Sequence, residues 1–164
     1  MKNKRGQMQL SFGMIFSIIL IVAFLAFAIF AIMSFVNTGE DLKLLDFKTG
    51  LQEGVDKLWK GGQGSQELEY FLPNDVQEVC IVDFDSRFSS EKYSDFQRVF
   101  YGEENLAFYP VGSADGLDST KINHIDVEKI TLERNPKCFV VENGKVKITL
   151  SKNFEDTLVL MKDE

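Results

Sequence analysis

The stretch Met14–Val36, MIFSIILIVAFLAFAIFAIMSFV, decides the fold of this chain. It holds no Pro and no Gly, and only Ser17 and Ser34 interrupt it with a polar group. At about 1.5 Å rise per residue, 23 residues make a helix of roughly 35 Å, enough to cross a hydrocarbon core of ~30 Å. Fifteen of the 23 are Ile, Leu, Phe or Val, and their insertion free energies sum to something on the order of −7 kcal/mol. A buried helix of a soluble core is the competing reading. Its length and the absence of a polar stripe count against it. No charged residue lies between Gln7 and Gly39, so the segment holds neither a proton path nor a gating element. Ala23, Ala26, Ala28 and Ala31 allow close helix approach, but no GxxxG occurs.

Outward from this segment the flanks differ. Lys2, Lys4 and Arg5 precede it without any acid, whereas Glu40, Asp41, Lys43, Asp46 and Lys48 follow it. Basic flanks stay cytoplasmic, so the N-terminus is expected inside and residues 40–164 outside. A cleaved secretory signal would have a shorter apolar run ending at a small-x-small site, and no convincing one follows Val36.

Lys4-Arg5-Gly6-Gln7, set just before the apolar helix, resembles the class III signal peptide of archaeal type IV pilins and pilin-like proteins. The resemblance implies a membrane peptidase that cuts between Gly6 and Gln7. It also implies an N-terminal helix shared by membrane and head, and assembly with other pilin-like subunits. Cutting would remove the charges that hold the helix in the bilayer. Pilins that assemble usually carry Glu at the fifth mature position; this chain has Ser11 there, and its first acid is Glu40.

Some 125 residues follow the anchor, enough for one compact domain. From Asn37 onward, 15 Lys and Arg face 25 Asp and Glu, a balance of −10. Such a surface argues against binding nucleic acid through a basic patch. The sequence contains no Asn-x-Ser/Thr sequon. Its two cysteines, Cys80 and Cys138, are both expected outside the cytoplasm, where a disulfide is permitted. Two separately buried thiols are the alternative. The spacing excludes a zinc ribbon or a CxxC redox pair.

Residues 40–60 place Leu44, Phe47, Leu51, Val55 and Leu58 at three- and four-residue steps, one face of an amphipathic helix. Trp59 broadens that face; Gly50 and Gly54 weaken it, each by about 1 kcal/mol. Asn37-Thr38-Gly39 is a candidate break between this helix and the apolar one, and Gly61–Ser65 ends it. Strands are expected at 67–72, 76–84, 105–111 and 156–161, with a short helix at 89–100 and a loop at 112–120. Apolar residues fall on both parities in 76–84, as in a central strand. Between Ile122 and Leu132 the parity switches, which suggests a bulge near Glu128 or a break between two strands. Asn143-Gly144 marks a type I′ hairpin over 138–150, with Glu142 opposite Lys145, Val141 opposite Val146 and Phe139 opposite Ile148.

Candidate chemistry is sparse. His124 is the sole histidine, so neither a two-histidine metal site nor a Ser-His-Asp set with a spare ligand can be assembled. Asp83 and Asp85, and the run Asp115-Gly116-Leu117-Asp118, suggest calcium but miss the EF-hand spacing; turn chemistry explains them equally. Tyr93, Phe96, Phe100, Tyr101, Phe108 and Tyr109 form either a core or an exposed binding cluster.

The expected architecture is α+β. A basic leader (1–6) precedes a transmembrane helix (7–39, core 14–36) and an extracytoplasmic domain (40–164). That domain comprises an amphipathic helix (40–60) and a β-rich, mostly antiparallel head (66–162). The expected partners are the lipid bilayer, a prepilin peptidase and other pilin-like subunits, with no cofactor, metal or nucleic acid. No residue set meets the requirements of an enzyme.

Overall fold

The computed structural model describes residues 12–86, 90–100, 102–114 and 116–163. It is an α+β protein that opens with one long helix, α1 (Phe12–Lys60), followed by short strands and two small helices. Residues up to Gly39 and those from Glu40 fall into two compact units. Helical hydrogen bonding continues through residues 37–39, where the sequence suggested a break. The reason is energetic: no proline stands there, and a single glycine costs only about 1 kcal/mol. In the first unit, Ser17 Oγ donates to the Gly13 carbonyl at 2.8 Å, so its hydroxyl is satisfied within the helix.

The head runs β1 (Gly64–Phe71), β2 (Glu78–Ile81), α2 (Glu91–Val99), β3 (Leu106–Tyr109), β4 (Ser119–Thr120), α3 (Val127–Thr131), β5 (Lys137–Val140), β6 (Lys145–Lys152) and β7 (Leu160–Lys162). These strands build two antiparallel sheets, β1-β6-β7 and β4-β3-β2-β5. Leu44, Phe47, Leu51 and Val55 of α1 are fully buried, with Leu58 packed beside them. They share one core with Val146, Ile148 and Leu150 of β6 and with Val79, Ile81, Phe108 and Phe139 of the four-stranded sheet. Burying such side chains stabilises by about 1.5–3 kcal/mol each.

Two glycines of α1 lie where β1 approaches. A Cβ at Gly50 would stand 2.8 Å from Tyr70 Cε1, and one at Gly54 would stand 2.7 Å from Leu68 Cδ1. The sequence marks these positions as helix weaknesses; in the fold they leave space for β1 side chains to press against the helix.

The four-stranded sheet is buried on both faces. Val79, Ile81, Leu106 and Phe108 point to the main core, while Cys80 and Ala107 join Val82, Tyr93 and Phe96 in a second core under α2. This explains the apolar residues on both parities in 76–84. Helix α2 is capped by Ser90, whose side chain accepts from the Tyr93 amide at 3.1 Å.

Two local expectations are corrected. The Asn143-Gly144 turn forms, with φ of 53° and 71°, and Glu142 bridges Lys145 as expected. The hairpin goes no further. Strand β5 pairs with β2 and β6 pairs with β1 and β7, so Val141–Val146 and Phe139–Ile148 are not ladder partners. Each strand finds a longer or better-buried partner at a distance than it would find in the other. Between Ile122 and Leu132 there is neither bulge nor strand break. Asp126 caps the short helix α3 by accepting from the Lys129 amide at 3.0 Å, and Ile130 and Thr131 become buried. A five-residue helix spans little more than one turn, and the parity switch was its only trace.

Candidate functional site

The most distinctive surface belongs to the first unit. Between Phe12 and Val36 the large apolar side chains are exposed on every side of the helix, Phe35 at 85%. Among the described residues none from Phe12 to Gly39 is charged. This helix is long and apolar enough to cross a membrane, and none of its most apolar window is buried within the protein. In water such a surface is unfavourable at about 25 cal/mol per Å², so it is the part of the molecule that calls for an apolar surrounding. The basic leader with Lys2, Lys4 and Arg5 and the Gly6–Gln7 junction lie outside the described residues.

In the head, Cys80 and Cys138 stand directly opposite on β2 and β5, with Cα atoms 4.0 Å apart, and their sulfurs are bonded. Val141 N–H donates to Gln77 O, so the cysteines occupy a non-hydrogen-bonded position, where antiparallel strands bring Cα atoms closest. Glu78 lies near both sulfurs, but cysteines bonded to each other are not metal ligands.

His124 adopts φ 65° and lies against α1. Its ring stacks on Trp59 at 3.6 Å and 6°, and its Nδ1 is 2.9 Å from Asp56 Oδ1. Gln52 completes the clasp: its Oε1 accepts from Asn123 N–H at 2.8 Å and its Nε2 donates to Asp56 at 2.8 Å. The hydrogen bond from His124, followed by those from Gln52, holds the Asp56 carboxyl below its ordinary range. This arrangement ties a loop to a helix. The histidine is therefore engaged by Asp56 and Trp59, with no nucleophile set against it among the described residues.

The carboxylates show the same pattern. Asp118 Oδ1 accepts from the amides of Gly112 (2.9 Å) and Ala114 (3.1 Å), and Oδ2 from that of Gly116 (3.3 Å). Its oxygens organise a turn; Asp115 lies outside the described residues. Asp83 Oδ1 accepts from the Asp85 amide at 3.0 Å, again closing a turn. Beside them Asp85, Ser86, Glu128 and Thr131 line an open cleft of about 600 Å³. Ser86 Oγ is engaged by Asn135 Nδ2 and the Asp83 carbonyl, so it has no base to activate it.

The aromatic cluster is mostly core. Phe108 packs on Phe47 at 5.6 Å, on the main-core side, while Tyr93 and Phe96 are buried under α2 with Phe100 and Tyr109 partly buried beside them. Tyr101 lies outside the described residues. Three positioning residues escape any reading of the sequence. Lys48 donates to the carbonyls of Leu117 (2.7 Å) and Ser119 (3.2 Å), pinning the loop after β3 to α1, and burial pushes its ammonium below the usual lysine range. Asn135, fully buried, donates to Asp83 O at 2.7 Å and accepts from Asp83 N–H at 3.1 Å. Gln52, on the polar side of an amphipathic helix, reads as a solvated residue. None carries a local signal, because each partner lies 52 to 71 residues away in the chain.

Compared with protein-family models, characterised proteins and solved structures, the chain has no significant match.

Proposed function

We propose that this chain is a non-enzymatic, pilin-like surface protein, anchored by one membrane-spanning helix and displaying an acidic head for adhesion or interaction. The N-terminus is cytoplasmic and the head extracytoplasmic. Lys4-Arg5-Gly6-Gln7 is cut between Gly6 and Gln7 by a prepilin peptidase, and the freed helix packs against those of other pilin-like subunits in a surface filament.

The observation that carries this reading is the continuous helix α1, apolar on all sides at its start and amphipathic at its end. One rod thus supplies both a bilayer segment and a core element of the head. The basic leader, the disulfide and the acidic head agree with an outward-facing domain.

A second reading rests on Ser11. Lacking the usual acid at the fifth mature position, the protein is a membrane-anchored binding or scaffold domain that forms no filament. N-terminal sequencing of the mature protein tests the first reading. A start at Gln7 supports it, and an intact Met1–Gly6 leader contradicts it. Surface fibres containing the protein then separate filament subunit from anchored scaffold.

A further inference from the structure

Just beyond the apolar segment, α1 carries two leucines that the head does not use. Leu42 and Leu45 are 60% and 57% exposed, whereas Leu44 and Phe47, on the opposite side of the helix, are buried. At about 100° per residue, Leu42, Leu45 and Thr49 form a narrow stripe with the three-then-four spacing of a helix-pairing seam. Asp41 flanks this stripe on one side and Asp46 and Glu53 on the other, all exposed. None of the three takes part in the ion pairs formed among the described residues.

We propose that the Leu42–Leu45 stripe docks a helix of a different membrane-anchored protein, one whose apolar seam is bordered by Lys or Arg. The proposal rests on the anchoring described above and goes beyond it by stating the chemistry of the partner. Charge decides the occupant. A second copy of this chain, held in the same membrane, would run parallel and in register. Pairing through Leu42 and Leu45 would then set Asp41 of each chain beside Asp46 of the other. Such like-charged crossings oppose the pairing, whereas a Lys or Arg on the partner turns both into attractions. The apolar segment alone cannot make this distinction, since it carries no charge between Phe12 and Gly39.

The experiment uses the full-length protein in lipid nanodiscs and two synthetic three-heptad helices with one leucine seam. One helix is flanked by Lys and the other by Glu, and fluorescence anisotropy reads binding. The Lys-flanked helix binds more tightly than the Glu-flanked one, on the order of tenfold. Asp41→Lys with Asp46→Lys reverses that order, and Leu42→Ser with Leu45→Ser abolishes binding of both. These leucines are exposed, so the serine variant keeps its folded head, which circular dichroism checks. Equal binding of the two helices overturns the proposal, as does binding that survives the serine variant. It is also overturned if the wild-type protein dimerises through these leucines, or if a spin label at residue 45 lies in the bilayer. Failure here leaves Gln7 as the mature N-terminus, so the two ideas fail separately.

Discussion

The His124 ring lies flat on the Trp59 indole, 3.6 Å away and 6° from parallel, and this contact joins the loop before α3 to the last turn of α1. An aromatic stack contributes about 0.5–1.5 kcal/mol beyond the area it buries. His124 also holds φ 65°, which costs a non-glycine residue about 1 kcal/mol or more. The two terms oppose each other, and substitution separates them. His124→Ala loses the stack and keeps the strain; His124→Gly loses the stack and relieves it. Urea unfolding of the full chain in detergent is expected to rank wild type above His124→Gly, and His124→Gly above His124→Ala by about 1 kcal/mol. Equal stability of the two variants would count against the strained backbone.

The clasp also has a defined pH dependence. Asp56 has its carboxyl lowered chiefly by the hydrogen bond from His124. A carboxylate with a lowered folded value stabilises above its unfolded value and loses that contribution as pH falls through the folded one. Stability is therefore expected to decline from about pH 4 downward, and Asp56→Asn to flatten that decline. Thermal unfolding between pH 2 and 6 measures it; an unchanged slope in the variant would show that other carboxylates govern acid stability.

Gly50 and Gly54 are expected to respond differently to alanine. Both replacements gain about 1 kcal/mol of helix propensity. At Gly54 the new methyl meets the end of a flexible leucine, Leu68 Cδ1 at 2.7 Å, which can turn aside. At Gly50 it meets the rigid ring of Tyr70 at 2.8 Å, itself packed edge-on against Phe47 at 5.3 Å. Overpacking costs about 1–3 kcal/mol, so Gly50→Ala destabilises while Gly54→Ala stays near neutral. Denaturant midpoints of the two variants check the order.

The Cys80–Cys138 bridge closes a loop with a sequence separation of 58. On the chain-entropy model it contributes about 4 kcal/mol by restricting the unfolded chain. Replacing both cysteines with serine is expected to lower the unfolding free energy by about 2–5 kcal/mol, with the same fold by circular dichroism. A loss under about 1 kcal/mol would mean that the two buried cores hold β2 and β5 together unaided.

Features set by local periodicity were legible in the sequence. The α1 face of Leu44, Phe47, Leu51, Val55 and Leu58 is the face that enters the core, and β2 is apolar on both sides because it has a core on both sides. The Asn143-Gly144 turn was legible for the same reason, since positive φ is a property of the residues themselves. Partner choice was not. Nothing near residue 145 reveals that β6 pairs with β1, whose register sets Lys145 opposite Phe71. The role of His124 was hidden too, because Asp56 and Trp59 lie more than sixty residues before it. Alignment of distant strands and loops emerges from the packing of the whole core.

Limited proteolysis of intact cells tests the central claim most directly. The account predicts that the chain sediments with membranes and resists extraction by alkaline carbonate. It also predicts that protease added outside the cells cleaves the region beyond Glu40. Recovery of the full-length chain in the soluble fraction, or complete protection of the head until the cells are lysed, would contradict it.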